Sequence, residues 1–126
     1  MLALAPGCEM DIERGPDWLL VRIREVEADE LEGVSVAQEL TSLMERHSIH
    51  RLVLEMDQVE RLTPHWISEI ETLYRRIHER GGVLRLCGLS PENRRRVESC
   101  SLAAHCHPYC DREEAVLGTH SPRQPR

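Results

Sequence analysis

Residues 51–82 constrain this chain more tightly than any other stretch: a short apolar strand, a loop, and a helix with a defined stop. Leu52-Val53-Leu54-Glu55-Met56 is a mostly apolar run flanked by polar residues, the pattern of a central strand covered on both faces. Val59-Glu60-Arg61-Leu62 forms the loop. The helix opens at Thr63-Pro64-His65-Trp66. Thr63 can cap it, and Pro64 at the first helical position gives up no hydrogen bond that the helix would have made. Trp66, Ile67, Ile70, Leu73, Tyr74 and Ile77 recur at the helical period as a buried stripe. Glu69 and Glu71 lie toward the positive end of the helix dipole, and Arg75, Arg76 and Arg80 toward the negative end. Gly81-Gly82 stop the helix, and residues 83–87 make the next strand. In an α/β fold such a strand-to-helix junction is where ligands and partners dock.

The flanking sequence extends the same plan. Residues 8–14 and 18–24 are separated by the turn cluster Gly15-Pro16-Asp17, so the pair reads as a hairpin-like edge. Residues 25–33 are acidic and weakly patterned, a loop. Ser35 with Gln38 forms a capping box for a helix whose apolar face is Val36, Ala37, Leu40, Leu43 and Met44 and which ends near His47. Ser90-Pro91 repeats the cap-and-proline start for a helix over 91–99. Residues 105–109 read as a last edge strand and 111–117 as a last helical turn or two. Residues 119–126, with two prolines and no apolar residue, read as a disordered tail. The order β-β-α-β-α-β-α-β-α predicts a single α/β domain over residues 1–118, helices packed on a mixed sheet of about four to five strands.

Composition narrows the class. A chain of 126 residues and 14.5 kDa buries one core. That core is aliphatic, since the sequence has no Phe, two Trp and two Tyr. A net charge of −6 argues against non-specific nucleic-acid binding. No run of about 18 apolar residues could span a membrane. The opening Met1-Leu2-Ala3-Leu4-Ala5-Pro6-Gly7 is too short, and lacks the basic start, for a secretory signal. The expectation is therefore a cytoplasmic protein. Five cysteines (Cys8, Cys87, Cys100, Cys106, Cys110) in odd number and irregular spacing do not suggest a disulfide framework.

Three segments together resemble the STAS domain family, the fold of bacterial anti-sigma factor antagonists and of the cytoplasmic tails of sulfate transporters. Residues 52–56 are similar to the family's "LVLDL" strand, residues 73–82 to its helix ending "RARGG", and residues 84–91 to its "LRLVGVSP". The continuous match covers about residues 51–117, with an extension to Cys8. In antagonists of this family the loop before the long helix reads "Asp-Ser-Ser-Gly", and a partner kinase, itself the anti-sigma factor, phosphorylates the second serine. The matching positions here are Thr63, Pro64, His65 and Trp66, so His65 stands at the serine and Trp66 at the glycine. The resemblance implies a docking surface that includes Gln58, Arg61, Thr63, His65 and Trp66, without the usual serine switch.

Each candidate also has a structural reading. Thr63, the only hydroxyl in the loop, is either a phosphorylation site at a helix N-terminus or simply the N-cap. His65 is a contact, a phosphoryl acceptor or an idle first-turn residue. Trp66 is an interface anchor or a continuation of the buried stripe. Cys100, His105, Cys106, His107 and Cys110 invite a metal reading, but no Cys-x2-Cys knuckle is present and no metal or other cofactor is assigned. Arg94-Arg95-Arg96 reads as a solvated helix face. No Gly-rich phosphate loop, nucleophile elbow or His-Glu-x-x-His motif occurs, which argues against an enzyme.

The leading expectation is a non-catalytic protein-interaction module in bacterial signalling that resembles an anti-sigma factor antagonist. Its partner would be a protein, an anti-sigma factor kinase or another STAS protein, and neither nucleic acid nor membrane. The alternatives are a metal- or small-ligand-responsive regulator that uses residues 100–110, or a scaffold subunit that forms homo-oligomers.

Overall fold

The computed structural model describes residues 2–5, 8–26, 36–106 and 108–118. Among them, β1 (Leu2–Ala5), β2 (Cys8–Arg14), β3 (Leu19–Val26), β4 (Arg51–Glu55) and β5 (Val83–Cys87) form one five-stranded sheet in sequence order. The sheet is mixed. β1 pairs antiparallel with β2 and β2 with β3, whereas β3–β4 and β4–β5 are parallel. The two parallel crossovers run through α1 (Val36–His47) and α2 (Pro64–Glu79). After β5 come α3 (Pro91–Glu98), a 3-10 turn (Ser101–Ala104) and α4 (Arg112–Leu117).

Alternation along β4 accounts for the layering. Leu52 and Leu54 enter the main core with Leu40, Leu43, Trp66, Ile70, Leu73 and Ile77 from α1 and α2. Val53 points to the opposite face and packs with Trp18, Cys87 and Ala115 of α4. All three β4 side chains are fully buried, which confirms a central strand covered on both sides. Two guanidinium groups, of Arg51 and Arg85, lie over the Trp18 ring at 5.6 and 5.0 Å.

The structure corrects the expected order in three places. First, the hairpin of β2 and β3 is not an edge: β1, an unexpected strand, covers β2, and β3 pairs inward with β4. Second, β3 runs on through Val26, because Glu25 and Val26 pair with Glu9 and Cys8 across a register shift. Residues 25 and 26 are therefore strand rather than loop, and Ser35, the expected cap of α1, lies outside the described residues along with 27–34. Third, the described residues of 105–109 form no strand. The 3-10 turn precedes them, and Tyr109 makes a single parallel bridge to Cys87, its N–H donating to the Leu86 carbonyl at 2.9 Å. A two-histidine, one-proline stretch with no β-branched residue supplies too little to extend that ladder. The expected tail, 119–126, lies outside the described residues.

Candidate functional site

The junction between β4 and α2 is fixed by local chemistry at both ends. At its start the Met56 N–H donates to the Cys87 carbonyl at 3.0 Å, and the Val59 N–H closes a turn onto the Met56 carbonyl at 3.1 Å. At its end Thr63 adopts extended backbone, and its Oγ1 accepts from the Trp66 N–H at 3.2 Å, so it is the N-cap that Thr-Pro predicts. Val59 and Leu62 turn inward at 4% and 1% exposure. The intervening Gln58, Glu60 and Arg61 turn outward and are exposed.

What holds this loop is a residue 31 positions away. Asn93, in the first turn of α3, is fully buried, and its Oδ1 accepts from the Leu62 N–H at 2.9 Å. Its Nδ2 donates to the carbonyls of Val59 at 3.0 Å and Glu60 at 3.5 Å. One carboxamide thus satisfies a buried donor and two acceptors that would otherwise have no ladder to join. Asn93 is itself set by the Ser90 cap, whose Oγ accepts from its N–H at 3.1 Å.

A second, more exposed fastening lies at the front of the loop. Arg22 of β3 donates its Nε to Asp57 Oδ1 at 3.0 Å, and its Nη2 meets Oδ2 to complete a fork. Burial pushes the Asp57 carboxyl upward, but the hydrogen bond and charge of Arg22, helped by the Gln58 amide, outweigh it and leave the carboxyl below its ordinary range. Behind this pair, Arg112 of α4 bridges Glu55 at 2.9 Å and Glu13 at 3.0 Å, tying α4 across the sheet.

The predicted site residues divide on burial. Gln58 and Arg61 are exposed on the loop. Thr63 is half-buried with its hydroxyl engaged as the cap. His65 is half-buried, and its Nε2 is enclosed without a hydrogen-bond partner. Trp66 is 1% exposed and packs in the main core, so it lies beneath the surface rather than on it. An anchor for a partner needs an accessible face, and Trp66 has none here. Glu69 also differs from expectation. Rather than sitting against its own helix dipole, it reaches α1, where its Oε1 accepts from the Ala37 N–H at 3.0 Å.

The described Cys and His residues of segment 100–110 do not converge. Cys106 is buried, Cys100 half-buried with its thiol donating to the Val97 carbonyl at 3.3 Å, and Cys110 exposed. His105 is exposed and stacked on Tyr74 at 4.5 Å, while His107 lies outside the described residues. Among the described residues no three His, Cys, Asp or Glu side chains are placed to hold a metal ion. Among them, too, no helix is long and apolar enough to cross a membrane.

This architecture is a mixed sheet with a pinned loop leading into its longest helix, and it defines an α/β domain. The chain belongs to the STAS domain family, whose model matches residues 11–115. RsbS of Moorella thermoacetica, in a serine-to-glutamate form, has a similar structure, with 14% identity, a TM-score of 0.71, and 86% of this chain and 92% of that one covered. The unphosphorylated anti-sigma factor antagonist SpoIIAA aligns with 11% identity and a TM-score of 0.67, over 90% of this chain and 100% of that one. The phosphorylated form of the Bacillus cell fate determinant SpoIIAA aligns with 14% identity and a TM-score of 0.61, over 87% and 98%. At such identities these likenesses establish a shared fold. A search of curated protein sequences finds no significant match.

Proposed function

We propose that this domain is a non-catalytic interaction module that acts as anti-sigma factor antagonists do, docking a protein partner on the loop 57–62 and the first turn of α2. The observation that carries this reading is the buried Asn93 clamp. It holds the loop backbone in one shape while Gln58, Glu60 and Arg61 project to solvent. A preformed loop with outward polar side chains loses little entropy on binding. The partner is a protein, an anti-sigma factor kinase or another STAS protein, and the setting is bacterial signalling in the cytoplasm.

In this reading docking is constitutive. His65 stands at the family's phosphorylated serine, and the one hydroxyl of the loop, on Thr63, serves as the helix cap. Thr63 therefore leaves the host unmodified. Affinity capture from the native host tests both statements, comparing wild type with the double variant Gln58→Ala/Arg61→Glu. The expected outcome is a kinase-like ATPase or STAS partner that is retained by wild type and lost by the variant, with an intact mass showing no phosphate. A specific partner held equally by both proteins would sink the surface, and a phosphate on Thr63 would sink constitutive docking.

A further inference from the structure

The face of the sheet that carries Trp18 is only partly covered. α4 lies over β4 and β5 there, packs Ala115 with Val53 and Cys87, and ends on its C-cap Gly118. Around it Leu20, Val83 and Val116 pack on this smaller core but stay half-buried. Leu117, which follows Val116 directly, stands out further. At 67% exposure it is the one large apolar side chain turned to solvent among the described residues. A lone surface leucine means little, but this one adjoins a continuous apolar cluster, and such patches mark contact surfaces.

Two cations frame the patch. Sheet register sets Arg51 beside Val83, and Arg85 beside Val53 and, one strand further, Leu20. The Arg51 guanidinium lies 5.6 Å from the Trp18 ring and that of Arg85 5.0 Å from it, so both are held on this side of the sheet. Arg85 is fixed further, its Nη1 donating to the carbonyls of Ala115 at 2.7 Å and Val116 at 3.5 Å. Rings and carbonyls orient a guanidinium without neutralising it. Neither arginine forms an ion pair with a described carboxylate, whereas Arg22, Arg24, Arg80 and Arg112 all do. Glu13, opposite Leu20 on β2, is taken by Arg112, and the exposed Asp17 beside Trp18 engages neither. In a chain of net charge −6, two unpaired guanidinium groups at an apolar patch call for carboxylates from outside.

The occupant must bring aliphatic surface and carboxylates together. Residues 119–126, which follow α4 in sequence, have the wrong sign, with two arginines and no acidic residue. A second copy related by a two-fold axis would set Arg51 and Arg85 against their own equivalents. An anionic membrane would meet the repulsion of the whole acidic chain, whereas a short segment reads only the charges within a screening length. We infer that this patch docks an acidic, leucine-rich segment of a partner protein, its carboxylates on Arg51 and Arg85 and its aliphatic side chains against Leu20, Val116 and Leu117. The patch lies where β4 begins and the docking loop follows where β4 ends, so the surface is separate from that loop.

Backbone amide NMR of the full chain, titrated with a blocked peptide of alternating glutamate and leucine, provides the test. Saturable shifts are expected at residues 18–20, 51–53, 83–85 and 115–118, with a dissociation constant of about 1 mM. A glutamate–serine peptide lacks the aliphatic side chains and a lysine–leucine peptide reverses the charge, so each should bind at least about tenfold more weakly. Arg51→Glu should weaken the glutamate–leucine peptide about tenfold and Leu117→Ser a few-fold. Both alter exposed side chains and so keep the fold. The loop variant Gln58→Ala/Arg61→Glu should bind the peptide as wild type does. The inference is overturned if no saturable shift appears at these residues, or if either control peptide matches the glutamate–leucine one. It is overturned equally if Arg51→Glu and Leu117→Ser both bind undiminished, or if the loop variant loses the peptide.

Discussion

Asn93 and Arg22 fasten the same loop, and magnitudes decide which matters. The Arg22–Asp57 pair has side chains 36% and 34% exposed, so solvent screens it and it contributes little. Truncating Asn93 strands a buried N–H and a buried carbonyl, which costs about 2–3 kcal/mol. Urea titrations should therefore show a distinctly larger loss for Asn93→Ala than for Arg22→Met, and equal losses would show that the clamp is not the dominant fastening. The Asp57 carboxyl is held below its ordinary range, so the stability it adds is present above its unfolded value, 3.8, and is lost as pH falls through the lower folded value. Arg22→Met should accordingly flatten the acid limb of the stability profile. Thr63 could be read from Thr-Pro alone, because an N-cap is a local device. Asn93 could not, since nothing in Pro91-Glu92-Asn93 separates a clamp from an ordinary first-turn residue until α3 is folded against the loop.

At the level of elements, two junctions set how α2 sits. A Cβ placed on Gly82 would lie 2.2 Å from the His50 carbonyl oxygen and 2.9 Å from the Ile77 side chain. That oxygen also accepts from the Val83 N–H at 2.9 Å, at the point where β4 and β5 begin to pair. Gly82→Ala should cost about 1–3 kcal/mol by overpacking and lower the melting temperature; an unchanged melt would mean that α2 can shift freely on the sheet. At the other end, Glu69→Ala removes the acceptor from the Ala37 N–H and should destabilise α1 by about 1 kcal/mol. Hydrogen exchange at Ala37 reports it directly. The helices were legible from period and punctuation, down to the cap and proline of α2 and α3. β1 was not, because a four-residue strand followed by Pro6-Gly7 carries almost no alternation. The segment 105–109 misled in the other direction: it reads as a last edge strand, but among the described residues only Tyr109 pairs with β5.

Taken whole, the molecule is a sheet with a core on each face, and a buried thiol marks each one. Burial pushes Cys87, in the smaller core, up to about 12, and Cys106, in the larger, up to about 11, from an ordinary 9.0. Both folded values exceed the unfolded one, so their contribution is complete below pH 9.0 and declines as pH rises through 11 to 12. Chemical denaturation should show stability falling above pH 9.0, with a shallower fall in Cys87→Ala. Native thiol titration should label the exposed Cys110 while sparing these two. The layered fold could be inferred from the sequence because the apolar strand 52–56, the helical stripe and the Gly-Gly stop all point to one arrangement. The tie through Arg112 could not, since Glu13, Glu55 and Arg112 meet only after β2, β4 and α4 have packed. The Asn93 clamp has a consequence for how such a domain changes over time. Because the loop is secured from beneath by its backbone, its outward positions 58, 60 and 61 carry little of the burden of folding. If the loop docks a partner as proposed, substitutions there would exchange one partner for another at little thermodynamic cost, so recognition would diverge while the scaffold stays fixed.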